Sequence, residues 1–113
     1  MTFEVVFYVN ERGEFPVLEF MESLNIKEYA KSISYLQILQ ENGNKLPASF
    51  VVHLGGGLYE LRPEFGGVEI RYFYFMVLGD TIVMLHALKK KSRRTPPRDL
   101  ALARKRMKEC EPK

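Results

Sequence analysis

The chain has 113 residues and a formal net charge of +3, and 46% of its residues are hydrophobic, among them 8 Phe and 6 Tyr. That length suits a single domain, 1–113, with apolar mass for one modest core and no need of a disulfide or a bound metal. The lone cysteine, Cys110, excludes an internal bridge and fits a reducing compartment. No basic region followed by an apolar run opens the chain, and no stretch nears the ~18 apolar residues of a membrane helix, so the expectation is a cytoplasmic protein without a membrane role.

Phe3 to Val9 is β-rich and predicts a first strand buried on both faces. Asn10 to Gly13 turns the chain. Pro16 suits a first helical turn, and Val17, Phe20, Met21 and Leu24 form one apolar stripe, which predicts a helix of about three turns. Asn25 with Glu28 makes a capping box for a second helix, whose expected buried face is Ile26, Tyr29, Ala30, Ile33 and Leu36. Asn42-Gly43-Asn44 and Pro47 stop it. From Phe50 the period changes. Leu58 to Arg62, Val68 to Leu78 and Ile82 to Leu88 have the spacing of an antiparallel meander, with Gly79-Asp80 as a two-residue turn and Phe50 to Leu54 as an irregular lead-in. Thr95 then offers an N-cap, Pro96 a first-turn proline, and Leu100, Ala103 and Met107 a last apolar stripe. The expected class is α+β: a small, mostly antiparallel sheet, an N-terminal helical hairpin and a C-terminal helix, with the helices on one face.

The charge is unevenly placed. Residues 1–61 hold four Lys/Arg against eight Asp/Glu, and residues 62–113 hold thirteen against six. A concentrated basic surface attracts phosphate polyanions; the alternative is a solvated basic tail. No Walker-type loop, CxxC or HExxH is present, and neither His53 nor His86 has a ligand partner at metal spacing, so no metal site and no cofactor are expected. The remaining chemistry is cationic. Glu60 and Arg62 share one strand face, and Arg71 shares another with Phe73 and Phe75. If the two strands pair, Arg62 and Arg71 meet away from the helices as a clamp for phosphate oxygens. Otherwise each pairs with Glu60, Glu64 or Glu69. Lys89, Lys90, Lys91, Arg93 and Arg94 follow the last strand, where they could reach a nucleic-acid backbone, and Phe73 is a candidate to stack a base. His86, in an apolar strand, reads first as structural and second as a general base; His53 is the more reachable base.

Gly57-Leu58-Tyr59-Glu60-Leu61-Arg62, Arg71 to Phe75, Leu85 to Lys91 and Thr95-Pro96-Pro97 with a basic helix occur in that order. Together they resemble the phage-derived HigB-like branch of the RelE toxin superfamily. The resemblance implies a RelE-like fold and a ribosome-dependent endoribonuclease toxin held in check by a cognate antitoxin of helix-turn-helix type. Its substrate would be messenger RNA on the ribosome. Cleavage would be metal-free, with the 2′-hydroxyl attacking the adjacent phosphate. The resemblance maps Arg71 to transition-state stabilisation, Arg62 to the phosphate clamp, and Lys89 and Lys90 to RNA binding. The chain departs from the family pattern at Ala87-Leu88 and at Pro97, near an expected tyrosine, which leaves Glu60, His53 and His86 all open as the base. Two other readings are a ParE-like toxin that inhibits DNA gyrase without cutting RNA, and a basic nucleic-acid-binding accessory protein.

Overall fold

The computed structural model describes residues 2–90 and 94–110. Its elements are β1 (Glu4–Phe7), α1 (Pro16–Glu22), α2 (Ile26–Asn42), a 3-10 turn (Gly43–Lys45), β2 (Val51–Gly55), β3 (Leu58–Leu61), β4 (Glu64–Phe65), β5 (Val68–Val77), β6 (Thr81–Lys90) and α3 (Pro97–Cys110). The strands form one sheet in the order β1-β6-β5-β3-β2, with the short β4 paired to the start of β5. Every pairing is antiparallel except β1 with β6.

The sheet divides the apolar residues into two sets by simple alternation. Leu61, Ile70, Tyr72, Tyr74, Ile82 and Met84 face α1 and α2, where Val17, Met21, Leu36 and Leu39 cover them. Leu58, Phe73, Phe75, Val83, Leu85 and Leu88 face α3, covered by Ala103 and Met107. The helices therefore lie on both faces, not on one. Strands β5 and β6 have near-continuous apolar sequences because they are buried on both sides, so their pattern alone could not show that a second layer exists.

Other departures have local causes. β1 is an edge strand, and its residues are at best half-buried, because only β6 lies beside it. Residues 51–55 form an edge strand paired antiparallel with β3, not merely a lead-in, although its register shifts between His53 and Gly55. α1 has only 7 residues, since Ser23 and Leu24 leave the helix before Asn25 caps the next one. The predicted capping box is present, with Asn25 and Glu28 bonding each other's backbone amides. The expected face of α2 holds in part, with Leu36 buried and Ile33 packed against the core. Glu28 is drawn inward, the buried stripe runs Glu28, Ser32, Leu36, Leu39, and Ile26 and Tyr29 are left exposed.

Candidate nucleic-acid site

The site begins where a ladder fails. Leu61 pairs with Tyr72 across β3 and β5, so one more step would set Arg62 opposite Arg71. The next residue is Pro63, which has no N–H to donate, and pairing resumes only at Glu64 with Glu69. The gap opens into a cleft of about 580 Å³ lined by Ala48, Ser49, Arg62, Pro63, Glu64, Gly66, Gly67, Val68, Glu69 and Arg71. Both expected arginines thus reach one cavity, on the α3 face rather than on a helix-free face.

A carboxylate joins them. Glu60 is fully buried. Its Oε1 lies 2.5 Å from Arg62 Nε and 3.6 Å from Arg71 Nε. Its Oε2 accepts a hydrogen bond from Thr95 Oγ1 at 2.9 Å. Arg71 also bridges to Glu69 at 2.8 Å through Nη2 and donates to the Ile70 carbonyl through Nη1. The two arginines differ in access: the Arg62 side chain is 31% exposed and that of Arg71 only 3%. Glu69 stands opposite Lys90 on β6. Burial first, and then the neighbouring Arg71 charge, hold the Lys90 ammonium below the ordinary lysine range. Among the described residues, Arg71 Nε and Lys90 Nζ are buried and have no hydrogen-bond acceptor.

Among the described residues that line the cleft, Glu64 and Glu69 stand against Arg62 and Arg71, so an anion there would be held by where the donors point rather than by surplus charge. Both alternatives raised for the arginines are realised together: they converge, and they are paired with carboxylates.

The structure separates the other candidate residues. β6 continues through Lys90, so Lys89 and Lys90 point to opposite faces instead of lying together in a post-strand loop. Lys89 crosses to α2 and bridges Glu28 at 2.8 Å, and this contact is the main cause holding the Glu28 carboxyl below its usual range. Arg94 is exposed. Lys91 and Arg93 lie outside the described residues. Phe73 is fully buried, stacked on His86 at 5.7 Å between ring centres, so its ring offers no face to a base.

None of the three expected proton acceptors lines the cleft. Glu60 is enclosed between its partners. His53 lies edge-on to Tyr59 on the α1–α2 side of the sheet. His86 is latched to α3, with Nε2 2.7 Å from Asp99 and Nδ1 3.3 Å from Arg106. Burial lowers its affinity for a proton, and Asp99 acts against that shift. The carboxylates that do line the cleft are Glu64 and Glu69. The sequence already offers Glu69 as a carboxylate partner for an arginine, whereas it presents Thr95 only as an N-cap, and nothing local places Thr95 beside Glu60. Among the described residues, no cluster of His, Cys, Asp or Glu could hold a metal ion, and no helix is long and apolar enough to cross a membrane.

Among solved structures, the chain is similar to one from the archaeal RelE–RelB complex of Pyrococcus horikoshii, with a TM-score of 0.51 and 22% identity over 83% of this chain and 100% of that one. The fold is therefore RelE-like. No curated protein matches the sequence. Residues 19–108 do match the family described as phage-derived protein Gp49-like, and the chain with its split β-ladder and arginine cleft belongs to that family.

Proposed function

We propose that the protein is the toxin of a toxin–antitoxin pair and a ribosome-dependent messenger-RNA endoribonuclease, of the HigB-like kind. The observation that carries this reading is the convergence of Arg62 and Arg71 on one cleft, oriented by a shared buried carboxylate. Attack of a ribose 2′-hydroxyl on the neighbouring phosphate builds negative charge on the non-bridging oxygens. Fixed guanidiniums stabilise that charge without needing to reorganise. Arg62, the more accessible, meets the phosphate from the open side. Arg71, anchored by Glu69 and Glu60, supplies a fixed charge from within. The similar chain from Pyrococcus horikoshii comes from a RelE–RelB complex, and a cognate antitoxin, of helix-turn-helix type, is the partner proposed here.

Expression of the chain alone should arrest growth and produce new messenger-RNA 5′ ends on translating ribosomes. Arg71→Ala should reduce cleavage roughly 10²–10³-fold, the usual loss for one transition-state donor. Unchanged arrest with Arg71→Ala and Arg62→Ala, at equal protein level, would remove the nuclease reading.

A second reading is supported by the absence of any expected proton acceptor from the cleft. A ParE-like toxin acting on DNA gyrase would need no such group. Arrest with intact messenger RNA and inhibited supercoiling would select it.

A further inference from the structure

We propose that Thr95 is a positioning residue for the arginine pair: its hydroxyl fixes Glu60, and Glu60 fixes the direction in which Arg62 and Arg71 face the cleft. The inference deepens the ribonuclease reading and rests on it. Glu60 is fully buried, so bulk water cannot complete its hydrogen bonds. The last torsion of a glutamate is broad, and two cations beside Oε1 do not by themselves decide how the carboxylate plane is turned. The bond from Thr95 Oγ1 to Oε2 at 2.9 Å decides it. With the plane set, Oε1 sits close to Arg62 and farther from Arg71, at 2.5 and 3.6 Å. Arg71 Nε is then left without an acceptor, directed by Glu60 but not consumed by it.

Helix capping does not account for this hydroxyl. The Asp99 and Leu100 amides bond to the Pro96 carbonyl, and among the described residues the Thr95 hydroxyl donates to a carboxylate rather than accepting from an amide. The place of Thr95 is set by α3, which Arg104 ties to the Leu54 and Gly55 carbonyls and Asp99 ties to His86.

The test compares Thr95→Val, which removes the hydroxyl at nearly constant volume, with Thr95→Ser, which keeps it. Two quantities are read: ribosome-dependent cleavage, separated into kcat and KM, and the arginine Nε–H resonances, assigned with Arg62→Lys and Arg71→Lys. Thr95→Val should lower kcat roughly tenfold to a hundredfold with KM little changed, as small misplacements of catalytic groups do, and should move the Arg62 and Arg71 signals. Thr95→Ser should restore both. Parental turnover and parental Nε signals in Thr95→Val overturn the proposal, as does a change that serine fails to reverse. If valine prevents folding, Thr95→Ala repeats the comparison. Should the wild-type chain cleave no RNA, the ribonuclease reading fails by itself, while the Nε signals still decide whether Thr95 orients the pair.

Discussion

Glu60 brings a charge to a position without solvent, and an unpaired ion there would be strongly destabilising. Two hydrogen-bond donors, Arg62 just past β3 and Thr95 in the lead into α3, together with the charge of Arg71 on β5, offset that penalty. His86 meets a comparable constraint differently: burial disfavours its charged form, and the neutral ring is held between Asp99 and Arg106. A histidine whose folded pKa lies below its unfolded value contributes stability above about pH 6.5, and that contribution is lost as pH falls through the lower folded value. Urea midpoints should therefore drop between pH 7.5 and pH 5.5, and His86→Gln should flatten that drop. A drop of equal size in His86→Gln would assign the dependence to other groups. Glu28 acts in a separate, more acidic window: Lys89 lowers its pKa, so its contribution disappears as pH falls from its ordinary 4.5.

Elements in this fold are joined by turns whose backbone demands are visible in two places. At the β5–β6 hairpin, Leu78 (φ 56°) and Gly79 (φ 77°) both take left-handed conformations, as a type I′ turn requires, and the Asp80 amide bonds to the Val77 carbonyl. Gly79 bears this without strain. Leu78 does not, and it is 92% exposed, so no burial offsets the strain. Leu78→Asn, which creates the preferred Asn-Gly pair, should raise stability by roughly 0.5–1 kcal/mol in denaturant titrations. No gain would mean that the turn relaxes in solution. At the end of α2, Gly43 is left-handed with the Phe3 ring 2.6 Å from where a Cβ would stand, so that helix end and the β1 approach are packed around a missing side chain. The expected two-residue Gly79-Asp80 turn is thus one residue out of place, because a leucine at positive φ is a choice that sequence statistics disfavour.

At the scale of the whole molecule, the sheet is a two-sided partition. The acidic α1–α2 layer and the basic α3 layer are fastened to opposite faces by a few polar links: Lys89 to Glu28 and Tyr74 to Asn44 on one side, and Arg104, Arg106 and Asp99 on the other. Tyr8 adds a hydrogen bond to Glu109 near the end of α3. Arg104 reaches the Leu54 and Gly55 carbonyls at the far edge of the sheet, so it carries much of the α3 seat. Its loss should cost about 1.5–3 kcal/mol, the range for hydrogen bonds from a charged donor. Hydrogen exchange in Arg104→Ala should speed up in α3 and β2 before it does in α1 and α2. Uniform acceleration would show instead that the two layers open as one unit.

Much of this was legible in the chain itself. The capping box at Asn25, the stripes of α1 and α3, the meander from Leu58 to Leu88 and the facing of Arg62 and Arg71 follow from periods of 3.6 and 2 and from local hydrogen bonding, all of which act over a few residues. What the chain could not disclose are contacts between segments far apart in sequence. The second helical layer, the opposed directions of Lys89 and Lys90 around a strand longer than its apolar core, and the Thr95 bond to a carboxylate 35 positions earlier were decided by tertiary packing. Periodicity states which residues share a face. Only the assembled sheet, with Pro63 breaking its ladder, determines what that face meets.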